Sequence, residues 1–315
     1  VAVASMHVPF SLGTDSAGST RIPAALNGCV GYRPSLGRYS TEGVAPLSTH
    51  RDTVGGLSSN VVDIVQIDKI LRPNPPSAQK FQGPIRLGVI KEAWAQLDSE
   101  VEHHCLAALE RIKQQGIQVV ELRLPRSFEL AATCSAALIL YDFPIEFSGY
   151  LSAYDVGLSY ADIQRQVRSP DIKALIRRLI TPQRLPSGAG GFEELDPIYQ
   201  EAISHWRPAM LQEYQDAIKA HKLHGFLFPT VNTLAPLATA ESNDPQHFER
   251  LTRNILPGSC IGLAGMSLPV AFAGDQLAVG LSIDVMPNQD ELLFIIASKV
   301  EQALGFAKGI TPPTL

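Results

Sequence analysis

Residues 85–122 restrict the fold more than any other part of the chain. Ile85 to Ile90 is an apolar run of strand length closed by Lys91-Glu92, and Ile117 to Leu122 is another. Between them Val101, Cys105, Ala108, Leu109 and Ile112 recur at helical spacing and share one face. Ser99 and Glu102 have capping-box spacing, in which hydroxyl and carboxylate each satisfy the other's free N–H. Gly116 stands where a helix stops. Strand, helix and strand in this order make a βαβ unit, with parallel strands and a right-handed crossover. The expected fold is α/β, a mixed central β-sheet with helices on both faces.

The rest of the chain supplies the other elements. Residues 1–7 read as the end of a buried helix, and 8–14 as a strand. Residues 22–60, rich in Gly, Pro and Ser, read as loops with short strands. A helix is expected over 58–71 with Ser58 or Ser59 as its cap, and a surface linker over 72–84. Helical stretches are expected at 127–156, interrupted by Pro144, at 159–180, broken at Ser169-Pro170, and at 198–222. Residues 181–197 read as a loop and a mobile cover. Gly225–Thr230, Ser267–Phe272 and Ala278–Ile283 read as strands, 247–257 as a short helix and Glu291–Leu304 as the closing helix.

The totals narrow the function. The 315 residues are 45% hydrophobic, enough for a large core, and carry a net charge of −5. An acidic balance without a basic stripe argues against a nucleic-acid or membrane-surface partner. Cys29, Cys105, Cys134 and Cys260 are scattered, with neither C-x-x-C nor zinc-ligand spacing, and read as reduced thiols in a cytoplasmic protein. No apolar run in the sequence suggests a transmembrane helix. No metal or cofactor is implied. The consecutive His103 and His104 diverge around a helix and read as surface residues. The chain opens Val1-Ala2-Val3-Ala4-Ser5 without a methionine and reads as entered mid-helix. A domain incomplete at its N-terminal side is expected, with an exposed apolar patch near residues 1–12. Self-association, such as a homodimer, would follow.

The chemistry is expected in Gly13-Thr14-Asp15-Ser16-Ala17-Gly18-Ser19-Thr20-Arg21-Ile22-Pro23-Ala24. A strand-length apolar run enters a turn of small residues that ends in one hydroxyl. Such turns commonly hold a serine as a mere turn or cap residue. They also let consecutive backbone N–H groups converge on one anion, and a serine beside an oxyanion cradle is what acyl transfer needs. Asp15 and Arg21 flank Ser19 and read as a charge-assisted brace, with Asp52 as a similar one. Ser40, Ser48 and Ser58 are further hydroxyls that read as turn serines. A Ser19–His50–Asp52 triad is an alternative, disfavoured because sequence neighbours rarely supply successive triad members.

Gly13 to Ala24 resembles the motif of the amidase signature family, G-T-D-T-G-G-S-[IV]-R-[IVF]-P-A, and departs from it at Ser16, Ala17 and Thr20. Gly28–Ser35, Arg51–Gly55, Leu227–Thr230, Gly262–Pro269 and Val279–Ile283 resemble later motifs of the same family in order. Leu140–Pro144 and Arg168–Ile172 look most like its aryl-acetamide branch of indoleacetamide and mandelamide hydrolases. The resemblance implies a Ser–cis-Ser–Lys triad that hydrolyses amides to acid and ammonia through an acyl-enzyme. Ser19 matches the nucleophile, and Ser16, Ala17, Gly18 and Ser19 match the oxyanion hole. The bridging serine and the lysine base would lie upstream of Val1, so these 315 residues alone are expected to be nearly inactive. The family's acyl pocket implies substrate contacts near Tyr141 and Phe143, and a small aryl-acetamide such as indole-3-acetamide as substrate. The other readings are an amidase subunit of a glutamyl-tRNA amidotransferase-like complex and a non-catalytic scaffold.

Overall fold

Side-chain alternation along the strands sets the two cores of the molecule. In the strand Gly225–Pro229, Leu227 points into one apolar cluster while Phe226 and Phe228 point into another. Both faces of the sheet are therefore buried. The computed structural model describes residues 1–72, 81, 83–187, 190–237, 244–273 and 277–305.

The first part of the chain forms β1 (Phe10–Thr14), α1 (Arg21–Asn27), β2 (Val30–Arg33), β3 (Val54–Ser58) and α2 (Val61–Leu71). It continues as β4 (Arg86–Ile90), α3 (Ser99–Gln114) and β5 (Gln118–Leu122). The helical middle holds α4 (Pro125–Ala153), α5 (Tyr160–Gln166) and α6 (Pro170–Leu175). A hairpin of β6 (Arg184–Pro186) and β7 (Phe192–Glu194) leads to α7 (Leu195–Glu201), which a π-turn joins to α8 (Arg207–His221). Last come β8 (Gly225–Pro229), α9 (Pro245–Thr252), α10 (Leu256–Cys260), β9 (Ala264–Ala273), β10 (Leu277–Val285) and α11 (Asp290–Leu304).

Eight strands make one sheet in the order β1-β3-β2-β9-β10-β8-β4-β5. The βαβ unit is present: β4 and β5 pair in parallel from Arg86↔Gln118 to Ile90↔Leu122, and β4 also runs parallel to β8. The remaining pairs are antiparallel, so the sheet is mixed. Helices α2, α3 and α11 cover one face, and α4, α8 and α10 the other. Val101, Cys105, Ala108, Leu109 and Ile112 are the buried residues of α3, as their spacing requires.

Several local expectations change. Residues 1–7 are a turn, with the Ser5 N–H on the Val1 carbonyl at 2.8 Å and Val3 their single buried member. So short an opening returns too few hydrogen bonds to offset helix nucleation. Val1, Met6, Val8, Phe10 and Leu12 are exposed, which forms the expected apolar surface beside the edge strand β1. Asn60, rather than Ser58 or Ser59, caps α2 by accepting from the Asp63 N–H. Asp98 is the cap residue of α3, and Ser99 already lies inside the helix, so no capping box forms there. The loops and short strands expected at 22–60 include β2 and β3, and the helix α1 there is unforeseen. The cover expected at 181–197 contains the β6–β7 hairpin, with 188–189 outside the described residues. Most of the 72–84 linker lies outside them as well.

Pro144 does not interrupt α4. The helix runs through it because neighbours on both sides are pinned: Ser48 Oγ donates to Asp142 at 2.6 Å, and Thr49 Oγ1 donates to Glu146 at 2.6 Å. By length and composition α4 is the one helix among the described residues that could cross a membrane, contrary to the sequence reading. Its Ala131, Cys134, Ala137 and Leu138 instead pack into the core shared with α8 and α10.

Glycines set how closely α1 sits on the sheet. A Cβ at Gly31 would lie 2.5 Å from Ala24 Cβ and 2.6 Å from the Thr20 carbonyl oxygen. Gly31→Ala is therefore expected to lower stability by about 1–3 kcal/mol, through overpacking against backbone that cannot yield. A urea midpoint equal to that of the parent protein would refute this.

Candidate active site

The signature turn leaves the sheet at the end of β1 and re-enters order at α1. Its anchor is Asp15. The carboxylate is fully buried and accepts from the Gly18 N–H at 2.7 Å, Thr20 Oγ1 at 2.9 Å and Arg21 Nε at 3.1 Å. Arg33 Nη1 reaches the same carboxylate at 3.3 Å and also donates to the Asp15 carbonyl. Burial alone would raise the Asp15 ionisation, but Arg21 and Arg33 together hold it far below the ordinary carboxylate range. Two guanidiniums thus clasp one carboxylate inside the turn.

Arg21 continues the network. Its Nη2 donates to Ser259 Oγ at 2.8 Å, and its Nη1 lies 3.5 Å from Asp284 Oδ1. Asp284 occupies a slot bounded by Gly258 and Gly265, where any Cβ would strike its carboxylate oxygens. Burial pushes the Asp284 ionisation up to about 6 and outweighs the pull of Arg21 and Arg33, while the charge of Asp15 adds to the rise.

Ser19 sits at the rim of this buried framework. Its side chain is exposed and makes no hydrogen bond among the described residues. The backbone N–H groups of Ser16, Ala17 and Ser19 likewise have no protein acceptor there, while that of Gly18 is taken by Asp15. Of the four donors expected from Ser16 to Ser19, three are free of protein acceptors among the described residues. Gly18 serves the turn differently. Its φ of +102° suits glycine, and an added Cβ would meet Ile22 and Ile255 at 2.8 Å.

Asp52 braces the other side of the turn. It accepts from Ser16 Oγ and from the Leu47 and Ser48 N–H groups at 2.7 and 2.9 Å. From Ser48 the hydrogen bonds run on to Asp142, which also meets His50 Nδ1 at 3.1 Å and the Tyr199 hydroxyl. His50 faces Asp142 and Asp52 faces Ser16, so the alternative Ser19–His50–Asp52 triad is not assembled. His50, Asp142 and Glu146 place ligand-type atoms within 4.8 Å of one another. Their hydrogen bonds with Ser48, Thr49 and Tyr199 make them a clasp between residues 48–50 and α4.

Tyr141 and Phe143 do not share a wall. Residues two apart on a helix point to different sides. Tyr141 stacks on Tyr199 with ring centroids 3.9 Å apart, whereas Phe143 stacks on Phe147 at 5.2 Å and meets Tyr160 edge-on. A cleft of about 490 Å³ lies nearby, with Tyr39, Val44, Thr49, Asp52, Glu146 and Tyr150 among its walls and Ser19 not among them. Ser40 and Ser58 serve local turns, with Ser40 Oγ accepting from the Glu42 N–H and Ser58 Oγ donating to the Asn60 carbonyl.

Sequence reasoning missed Arg33, Ser259, Asp284 and Tyr199. A charged residue inside an apolar strand was a usable signal for Asp284, since such groups are seldom fully buried without a partner. Arg33 at the end of the wholly buried β2 carried the same signal. Ser259 and Tyr199 carried none.

The sequence profile of the family described as Amidase matches residues 1–294. The mandelamide hydrolase of Pseudomonas putida is 35% identical over 312 residues, which are 99% of this chain and 61% of that protein. An indoleacetamide hydrolase of Agrobacterium vitis is 31% identical over 316 residues, covering 97% of this chain and 65% of its own length. A crystal structure described as an amidase superposes with a TM-score of 0.73 at 28% identity, over 93% of this chain and 62% of that one. The chain thus spans less than two thirds of the length of each. With a profile match over nearly its whole length and a mixed sheet that superposes on a solved amidase, the chain belongs to the amidase family.

Proposed function

We propose that the protein hydrolyses a carboxylic amide through an acyl-enzyme on Ser19. The observation that carries this reading is an exposed, unpartnered hydroxyl beside three unpartnered backbone N–H groups, on a turn held by the buried Asp15. Ser19 Oγ adds to the amide carbonyl carbon. The N–H groups of Ser16, Ala17 and Ser19 receive the developing oxyanion, where fixed donors act without reorganising. The serine proton passes to the amide nitrogen, the C–N bond breaks and ammonia leaves, and water then hydrolyses the ester, releasing the acid and returning the proton to Ser19. Asp15, Arg21 and Asp52 position the turn and do not touch the reacting atoms.

The substrate class is an arylacetamide. Mandelamide and indoleacetamide, named in the two relatives, both carry an aromatic ring near the amide. The stacked Tyr141 and Tyr199 offer an aromatic surface that hydrogen bonds connect to Ser16 through Asp142, Ser48 and Asp52. Among the described residues no lysine makes a hydrogen bond or ion pair with residues 13–24. The 315 residues are read as one amidase domain.

Boron chemistry tests the nucleophile separately from any base, because adduct formation is an equilibrium that does not require general-base turnover. Benzylboronic acid is expected to form a tetrahedral adduct on Ser19, visible by ¹¹B NMR, and Ser19→Ala should weaken binding at least about tenfold. Unchanged binding by Ser19→Ala, or an adduct mapped to another residue, would overturn the assignment.

A further inference from the structure

Arg51 is a fully buried cation that the amide chemistry does not use. Its Nη1 donates to Ser135 Oγ on α4 at 2.5 Å and lies 3.9 Å from Cys260 Sγ on α10. Both of these acceptors are neutral, because the Cys260 sulfur itself donates to the Ala131 carbonyl at 3.6 Å and so carries its proton. Arg51 Nε and Nη2 are buried and have no hydrogen-bond partner among the described residues. No carboxylate among those residues pairs with this side chain.

Nε and Nη2 form the edge with which a guanidinium grips an anion at two points. Other buried arginines of this protein show that edge in use. Arg21 turns the pair to Asp15 at 3.1 and 3.2 Å, and Arg38 turns it to Asp68 at 2.7 and 2.8 Å. Neighbouring carboxylates are already engaged elsewhere. Asp52, the next residue, accepts from Ser16 Oγ and from the Leu47 and Ser48 N–H groups, and Asp15 is shared by Arg21 and Arg33. Arg207 adds to the positive excess. Its Nε and Nη2 donate to the Cys260 and His50 carbonyls at 2.7 and 3.2 Å, and it forms no ion pair among the described residues. An arginine cannot shed its proton to escape burial. Water could satisfy the two N–H groups but would leave the charge unbalanced, which is costly in a protein interior.

We propose that the free edge of Arg51 holds a small monovalent anion, chloride, between residues 48–52, α4 and α10. The occupant has to be small. Neither nitrogen reaches the surface, and Arg51 is not among the walls of the 490 Å³ cleft, so an arylacetic acid would have to carry its ring into the packed core. Chloride brings one charge and accepts N–H bonds from any direction. The charge of Arg51 is felt nearby: burial, with Arg21 and Arg51, brings the Arg33 ionisation down to about 10 against the pull of Asp15. The ion would join residues 48–52 to α10, whose Ser259 receives the Arg21 hydrogen bond that braces the signature turn.

Urea unfolding tests the site, with sodium chloride raised from about 1 mM to about 100 mM and sodium gluconate holding the ionic strength constant. Gluconate is a carboxylate too large for the position. Once the site is near saturation, each further tenfold of chloride should lower the unfolding equilibrium constant about tenfold. Arg51→Met should not respond to chloride. Bromide keeps the test independent of whether that variant folds. Crystals of the unaltered protein grown in sodium bromide should show an anomalous peak within hydrogen-bond distance of both Arg51 Nε and Nη2. Unfolding of the unaltered protein that is indifferent to chloride, an equal response in Arg51→Met, or ordered water where the bromide peak is expected would each overturn the site.

Discussion

Asp15→Asn is expected to lower the free energy of unfolding by about 3–5 kcal/mol, the usual cost of removing one member of a buried ion pair. The reason is what the substitution leaves behind. Arg21 and Arg33 are both fully buried, and both direct guanidinium N–H groups at this carboxylate. An amide can accept a hydrogen bond but cannot balance their charge. Asp284 is 3.5 Å from Arg21 and becomes the remaining carboxylate of that network, which is too little for two cations. Such a loss is a large part of a typical domain's stability of about 5–15 kcal/mol. Urea unfolding of the two proteins at neutral pH measures it, and a difference under about 1 kcal/mol would contradict the clasp. The folded-state ionisation of Asp15 is depressed, so its contribution is complete above the unfolded carboxylate value of about 4. It is lost as the pH falls below that value toward the folded one. The gap between parent and variant should therefore hold from about pH 7 to about pH 4 and narrow only in stronger acid.

Asp284→Asn should show the opposite sign. The folded-state ionisation of Asp284 is raised to about 6, chiefly by burial. Between about pH 4 and pH 6 the unfolded chain has lost this proton while the folded chain keeps it. Stability from this group is accordingly greatest below about pH 4, falls as the pH rises toward 6, and is level above that. A rise from the ordinary aspartate value near 4 to about 6 is worth about 3 kcal/mol. Asparagine removes the titration and retains a carbonyl for Arg21 within the space that Gly258 and Gly265 leave open. At about pH 7 the variant should be as stable as the parent or more so, by up to about 3 kcal/mol, and it should lose its advantage at about pH 4. Parallel stability curves for the two proteins between about pH 4 and pH 7 would refute the assignment. Asp15 and Asp284 touch the same arginine yet respond to acid in opposite ways. Asp15 is in contact with two guanidiniums and several N–H donors, whereas Asp284 is in contact with one guanidinium, that of Arg21 at 3.5 Å.

The same contrast explains which parts of the site could be read from residues alone. Asp15 and Arg21 stand six positions apart on either side of Ser19, and their pairing is local. Arg33 and Asp284 reach the same place from β2 and β10, and only strand order brings them there. The Ser16–Asp52 contact is likewise long-range: the sequence reads Asp52 as a brace, but only the fold shows that its carboxylate meets Ser16. Tyr141 was singled out for its aromatic ring. Its actual partner, Tyr199, lies on another helix and had no feature that marked it.

By itself the sequence determined the elements with strong periodicity and the family motif carried by contiguous residues. The apolar face of α3, the parallel β4–β5 pair and the signature turn with Ser19 all depend on neighbours in the chain. Tertiary structure alone decided the rest. It set the helix caps at Asn60 and Asp98, the continuity of α4 through Pro144, and the bond from the Gly18 N–H to Asp15. It also placed the Arg51 guanidinium, with no carboxylate paired to it among the described residues, 3.9 Å from the Cys260 sulfur. The physical reason is the same in each case. Burial removes water as a partner, so the state of every polar group is fixed by whatever distant residue the fold brings against it.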